Sequence, residues 1–245
     1  MRFGIISDIH ANLEALQTAL GVLEKEGVEQ IICLGDVVGY GASPKECLDI
    51  MSKNNIPTIR GNHERYVIGE FNEAVKDDTM KVIEWTRNTV GPELLKFIET
   101  MPNKMLHESG FLITHGSPRN KDEYLIKLNS FIASLKFMED KHPEIKICFH
   151  GHTHVPSIWA RGHIVQNITE DKTVQLDPEK TYLINPGSVG QPRDKCPLAS
   201  FGLYDDEKYT FQFFRKEYDV EEAQKKIHEN LGFAGRFADR LSIGA

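Results

Sequence analysis

The sequence is poor in cysteine and tryptophan, with four of the first and two of the second in 245 residues. Cys33, Cys47, Cys148 and Cys196 make no Cys-x-x-Cys pair, and Cys33 and Cys148 sit inside apolar runs. That argues against a disulfide framework or a thiolate metal site, and the four read as buried free thiols. Long apolar runs are also missing. No stretch reaches the ~18 residues that span a bilayer, so no membrane partner is expected. The apolar start at Phe3–Ile6 is too short for a signal peptide and has no small-residue cleavage site, so a cytoplasmic location is expected. Positive charge is in short supply: 29 Lys plus Arg against 36 Asp plus Glu give a net charge of −7. This excludes a broad electrostatic footprint on DNA or RNA, and no stable nucleic-acid binding is expected. A nucleotide substrate remains open, because a local metal charge can outweigh the global sign. The chain has no internal repeat, low-complexity tract or Gly/Ser linker. A single domain over 1–245 is the expectation, with 66–105 able to form a helical cap and 219–245 a helical extension.

What is present is an ordinary globular balance, 40% hydrophobic and 27% charged, enough to build a core without cross-links. Short apolar runs alternate with helical patterns, the signature of a βαβ-rich sheet. Strands are predicted at Phe3–Ile6, Ile31–Leu34, Ile56–Ile59, Phe111–Thr114 and Ile145–Phe149. Leu13, Leu16, Leu20 and Leu23 form one helix stripe, ended by Gly27 as a cap. Pro44 opens a helix that runs to Lys53. Leu125, Leu128, Ile132 and Leu135 mark another helix, and 66–100 reads as mainly helical. Between Val155 and Phe214 short strand patterns follow at Ile158–Ala160, Ile164–Ile168, Tyr182–Ile184, Ser200–Tyr204 and Tyr209–Phe214, then a helix on Val220, Ala223, Ile227 and Leu231. In the tail, Phe233, Phe237 and Leu241 recur with helical spacing, with Arg236 and Arg240 among them. Such an amphipathic helix would pack on the core or on a partner chain, which leaves homo-oligomerisation open.

Five predicted strand ends carry chemistry. Asp8 and His10 follow the first, Gly35-Asp36 the second and Gly61-Asn62-His63-Glu64 the third. His115-Gly116 follows the fourth, and Gly151-His152-Thr153-His154 the fifth. In open α/β sheets ligands bind beyond the carboxyl ends of the strands, so these clusters should meet on one rim. Carboxylate, imidazole and carboxamide donors together suit Mn, Fe, Zn, Co or Ni better than Mg or Ca.

The set Asp-x-His, Gly-Asp-x-x-Gly, Gly-Asn-His-Glu, His-Gly and Gly-His-Thr-His resembles the five-motif signature of calcineurin-like metallophosphoesterases. Asn185-Pro186-Gly187-Ser188-Val189-Gly190 is similar to the small bacterial and archaeal phosphodiesterase branch. The resemblance implies an α/β fold, a four-layer αββα sandwich with two central mixed β-sheets flanked by helices. It also implies two divalent metal ions per chain, with manganese foremost and Fe, Zn, Ni or Co as alternatives. Asp8, His10, Asp36 and His154 would hold one ion. Asp36, Asn62, His115 and His152 would hold the other, with Asp36 bridging. Two carboxylate charges against two divalent ions leave the centre net positive, which draws in a phosphate ester. A hydroxide shared by the ions would attack phosphorus in line. His63 would protonate the leaving oxygen or hydrogen-bond to the phosphate. The pattern departs from the protein-phosphatase branch. That branch follows Gly-Asp with Asp-Arg-Gly, whereas this chain reads Asp36-Val37-Val38-Gly39. It therefore lacks the acid that orients the catalytic histidine and the arginine that clamps phosphate.

Asn12 is a candidate either to cap the first helix or to touch the phosphate, and Arg193 to bind a phosphate oxygen. Arg60 reads as a paired or solvated arginine and His150 as a buried histidine. His107, His142, His163 and His228 have no motif context. The expected partner is a small phosphate-ester substrate, a nucleotide among the candidates, and the expected reaction is phosphodiester hydrolysis extending to phosphomonoesters. The alternatives are a nucleotide or dinucleoside-polyphosphate phosphohydrolase and a non-catalytic scaffold.

Overall fold

The computed structural model describes residues 1–71 and 75–245, apart from the side chain of Phe233. The chain opens with β1 (Arg2–Ile6), α1 (Leu13–Lys25), β2 (Gln30–Cys33) and α2 (Pro44–Lys53), and continues with α3 (Asn62–Val67) and α4 (Asp77–Thr100). Then come β3 (Lys104–Leu106), β4 (Leu112–Thr114), α5 (Leu128–Lys141), β5 (Ile147–Phe149), β6 (Ser157–Ala160) and β7 (His163–Val165). The rest is β8 (Lys172–Gln175), β9 (Tyr182–Asn185), β10 (Ala199–Asp205), β11 (Thr210–Lys216), α6 (Val220–Asn230) and α7 (Gly235–Leu241). The strands make two mixed sheets, ordered β2-β1-β10-β11-β8 and β3-β4-β5-β9-β6-β7. This is the expected αββα sandwich.

The alternation of side chains along each strand creates the layers. Phe3 and Ile5 of β1, with Tyr204, Phe211 and Phe213, face Phe111, Ile113, Ile147, Phe149, Tyr182 and Ile184 across the inter-sheet core. The opposite face of the first sheet, through Ile6, Phe201, Leu203 and Phe214, packs on Leu16 and Leu23 of α1, Leu48 of α2 and Ile98 of α4. The outer face of the second sheet, through Leu112, Cys148, Trp159 and Leu183, packs on Phe131, Leu135 and Met138 of α5. All four cysteines are buried and free. Among the described residues no helix is long and apolar enough to cross a membrane.

Four expectations about elements need correction. The strand predicted at Ile56–Ile59 shrinks to one bridge between Cys33 and Thr58, because Pro57 has no N–H to donate to a longer ladder. The stripe predicted from Leu125 is offset. Helix α5 starts at Leu128 and buries Phe131, Ser134, Leu135 and Met138, while Leu128 and Ile132 are 55% and 46% exposed. β3 and β8 lie outside the predicted strands. In the helical segment after residue 66, α4 breaks at Gly91 (φ 77°), just before Pro92. In the tail, Phe237 and Leu241 bury against Val82, Ala223 and Ile227, so α7 packs on its own chain.

Candidate metal centre

Parallel pairing of β1 with β2 and of β4 with β5 and β9 delivers their carboxyl ends to one rim. Backbone bonds then lace the loops together. Asp8 N–H donates to Gly35 O (3.0 Å), His10 N–H to Asp36 O (2.9 Å), Gly151 N–H to His115 O (2.9 Å) and Gly190 N–H to Asp8 O (3.1 Å). Asp8, His10, Asp36, His152 and His154 all have positive φ, between 50° and 70°. Non-glycine residues occupy this region sparsely, at a cost of about 1–3 kcal/mol each. The lacing holds them there, with their side chains turned inward and buried.

Two buried groups have ligand atoms within 4.8 Å of one another: Asp8, His10, Asp36 and His154, and Asp36, His115 and His152. They share Asp36. Asn62 joins the second group, its Oδ1 lying 3.2 Å from His115 Nε2. The imidazole orientations decide what the groups can accept. Nδ1 of His10 faces Val38 O (3.1 Å), Nδ1 of His115 faces Leu34 O (2.8 Å) and Nδ1 of His154 faces Gln191 O (2.5 Å). A carbonyl only accepts, so each Nδ1 carries the proton and each neutral ring turns its Nε2 lone pair inward. His10 Nε2 and His154 Nε2 then meet at 3.1 Å, lone pair to lone pair. His115 Nε2 lies 3.2 Å from Asp36 Oδ2, and His154 Nε2 lies 3.3 Å from Asp8 Oδ1. Among the described residues His152 Nε2 is buried without a partner. Acceptors packed against acceptors need positive charge between them, and the donor set fits divalent cations.

The protonation pattern agrees. Burial holds His10 and His152 well below the ordinary histidine range, and it lowers His154 with help from Arg193. Burial also opposes charge on His115, but Asp36 and Asp8 outweigh it and raise this ring to about 9. Without a metal, a proton on His115 partly fills the need for positive charge.

Glu64 is a buried residue of the third motif to which sequence reasoning gave no role. Its carboxylate accepts the N–H groups of Asp36 (2.8 Å), Gly61 (2.8 Å) and Val38 (3.1 Å). It thereby ties the Asp36 loop to the start of α3. Burial and the nearby Asp36 push it up to about 7.

His63 sits next to the clusters, and its N–H donates to Asp36 Oδ1 (2.9 Å). Among the described residues its Nδ1 is buried without a partner. The reason is Gly39, at φ 91°, where a Cβ would overlap the His63 ring. The loop that lacks the orienting acid leaves no room for one, and Tyr40 packs beside the ring instead, centroids 4.4 Å apart. Burial lowers His63 to about 4, so the ring is neutral at pH 7.

The remaining candidates divide. Asn12 caps α1, one of the two roles read for it, accepting from Ala15 N–H (3.1 Å), and it donates to Gly190 O (2.9 Å) as a brace. Arg60 is paired with Glu70 at 3.1 Å. Arg193 lies beside the centre, 3.5 Å from Tyr40 Oη and 3.3 Å from Gln191 Oε1. His150 is buried, with its Nε2 unpartnered. Tyr124, missed in the sequence, stacks on His152 with centroids 3.6 Å apart.

A cavity of about 340 Å³ opens over Asn62 and His63. Tyr66, Lys76 and Thr79 line it from one side, and Arg236, Phe237 and Arg240 of α7 from the other. Of the described part of the 66–105 segment, the start therefore borders the cavity. The body of α4 is buried in the core through Val82, Ile83, Val90 and Ile98.

Residues 1–208 match the sequence model of the calcineurin-like phosphoesterase superfamily domain. An uncharacterized protein of Methanocaldococcus jannaschii is 34% identical over 233 residues, which cover 92% of this chain and 91% of that protein. The crystal structure of a metallophosphoesterase from Sphaerobacter thermophilus superposes with a TM-score of 0.83 at 33% identity, covering 100% of this chain and 99% of the other. A hypothetical protein from Pyrococcus horikoshii shares the fold, with a TM-score of 0.78 at 20% identity, covering 100% and 98% of the two chains.

Proposed function

The chain belongs to the calcineurin-like phosphoesterase superfamily, and from that premise we propose that it hydrolyses phosphodiesters, and phosphomonoesters that fit the same cleft, at a pair of divalent cations, manganese foremost. The observation that carries the reading is the inward turn of the His10, His115 and His154 Nε2 lone pairs onto Asp8 and Asp36, each fixed by a carbonyl behind Nδ1. Asp8, His10, Asp36 and His154 would hold one ion, and Asp36, Asn62, His115 and His152 the other. When bound, such ions neutralise charge on the phosphoryl group and lower the pKa of water toward ~7.

The chain's own residues supply the rest. Asp36 spans both sites, and the His63 N–H and the grip of Glu64 on its loop keep it there. His63 lines the cavity as a neutral ring, which suits it to donate a hydrogen bond to a phosphoryl oxygen rather than to carry a proton to the leaving group. Arg193 flanks the same space and would take a second phosphoryl oxygen.

Reconstitution with manganese should give about two ions per chain and hydrolysis of bis(p-nitrophenyl) phosphate. His63→Ala should lower kcat by ~10²-fold, and by similar factors for nitrophenyl and alkyl leaving groups. A loss confined to the alkyl ester would make His63 the acid instead. Absence of hydrolysis with Mn, Fe, Zn, Ni and Co alike would leave the scaffold reading.

A further inference from the structure

The chain has more acidic than basic residues, yet its cleft has the opposite character. Four cationic side chains, Lys76, Arg193, Arg236 and Arg240, line the cavity over His63; among the described residues no Asp or Glu joins them, and the terminal carboxylate of Ala245, the last residue and also in the lining, is one negative charge against four. Two of the four come from α7, beyond residue 208, where the match to the family ends.

Helix α7 is anchored. Phe237 and Leu241 are buried against α6 and Val82. Gln224 Nε2 donates to Ala238 O (2.9 Å), and Lys195 N–H donates to Gly244 O (2.8 Å). Phe237 packs on Tyr40 with centroids 4.8 Å apart, and Tyr40 in turn packs on His63. Arg236 and Arg240 stand one turn apart on either side of Phe237, 4.8 and 5.8 Å from its ring. Residues spaced i and i+4 share a helix face.

The charges on that face are poorly compensated. Arg236 has Asp78 at 3.2 Å. Among the described residues neither Arg240 nor Arg193 has a carboxylate within ion-pairing distance. Burial, together with Arg193 and Arg236, pulls Arg240 below its ordinary value. Arg193 is the inner member of the row, close enough to lower His63 and His154. Packing three guanidinium groups at one mouth opposes folding, and the aromatic stack on Phe237 alone does not require it. An anion that settles among them would offset the repulsion.

We propose that α7 builds a second anion subsite beyond the reacting phosphate. In it Arg240 and Arg236 grip another phosphate group of the substrate, so that the enzyme selects phosphoesters carrying two phosphates over those carrying one. The proposal rests on the phosphoesterase reading of the centre. Guanidinium groups take phosphate through paired, charge-assisted hydrogen bonds.

The test compares adenosine 5′-monophosphate with adenosine 3′,5′-bisphosphate as inhibitors of bis(p-nitrophenyl) phosphate hydrolysis by the manganese-loaded chain. The bisphosphate should inhibit about tenfold more tightly, as expected for ~1.4 kcal/mol from the added contacts. In the double variant R236Q/R240Q, whose side-chain stems still cover Phe237, that ratio should fall to about two or less. The ratio cancels any general loss of folded or metal-loaded protein. Equal inhibition of the wild type by both nucleotides, or an undiminished ratio in the double variant, would overturn the subsite. If the nitrophenyl diester is not hydrolysed at all, it is the phosphoesterase reading that fails. Calorimetric titration of the same two nucleotides into wild type and double variant then decides the subsite without turnover.

Discussion

Glu64 touches none of the proposed ligand atoms, yet three backbone N–H groups from two different loops end on its carboxylate. One of them belongs to Asp36, the residue shared by both cation groups. Such a carboxylate sets where Asp36 can stand. Glu64→Gln keeps the shape but turns an amide N–H toward one of the three donors, which costs about 1–3 kcal/mol at a buried site. Metal affinity should fall by ~10–100-fold, the usual effect of losing a group that supports a ligand. Competition with a chromophoric chelator measures it, and unchanged affinity in the folded variant would remove Glu64 from the centre's support. The residues gathered in the two cation groups were legible because their types recur at fixed spacings after strands. Glu64 stood in the same motif, three residues after Gly61 at the spacing of a capping glutamate, but that spacing is silent about the Asp36 and Val38 N–H groups it also holds. Asn12 stood in the sequence as either a cap or a substrate contact. The hydrogen bond from Ala15 shows the cap, and only the one to Gly190, a contact between residues distant in the chain, was hidden.

Among the elements, legibility followed length and amphipathicity. Helices α1 and α2 were readable because each repeats its apolar stripe over several turns and carries a local boundary signal. The strands β3 and β8 are three and four residues long and largely exposed, too short to show an alternation, and pairing with β4 and β11 makes them strands. The break in α4 does have a local signal, the Gly91-Pro92 pair, set in a run that otherwise reads as helix. Two glycines test how far local backbone geometry governs these helices. Gly21 lies inside α1 and Gly91 at the break, and a Cβ at either meets nothing within 4 Å. Space is therefore equal, and the sign depends on φ. Gly21→Ala should stabilise by about 0.5–1 kcal/mol through lower chain entropy. Gly91→Ala, at φ 77°, should destabilise by about 1–2 kcal/mol. Thermal unfolding should move by about 2–4 °C per kcal/mol in opposite directions. A gain at Gly91 would mean that the break relaxes into continuous helix.

At the scale of the whole molecule, the buried histidine cluster makes stability depend on pH in two windows. His63 and His150 are both lowered to about 4 by burial, and His10, His152 and His154 are lowered as well. Between about 6.5 and 4 the unfolded chain takes up protons that the folded chain refuses, so stability falls as pH falls. Glu64, raised to about 7, opposes this by at most one proton over the range from its ordinary value to 7. His115 acts in the other window. Raised to about 9, it stabilises the metal-free fold below 6.5, and that contribution is lost as pH rises through 9. Metal-free protein should therefore be most stable to urea near neutrality, with the steeper loss on the acid side. Metal loading should remove the His115 share of the alkaline loss, because the same ring must give up its proton to bind a cation, and leave the share of Cys33, Cys47 and Cys148, whose thiols burial pushes up. His150 isolates one histidine of the acid limb. Among the described residues its Nε2 has no hydrogen-bond partner; the ring meets the Gly151 backbone and, through Nδ1, Asn185 at 3.4 Å, whose amide keeps Gly151 O and Thr153 Oγ1. His150→Phe should flatten the acid limb by about one proton, a relative gain on the order of 3 kcal/mol at pH 4. Urea midpoints from pH 4 to 9, with and without chelator, read all three effects. An acid limb in the variant parallel to that of the wild type would show that this ring is protonated in the folded chain too, and that the buried cluster tolerates charge without a metal.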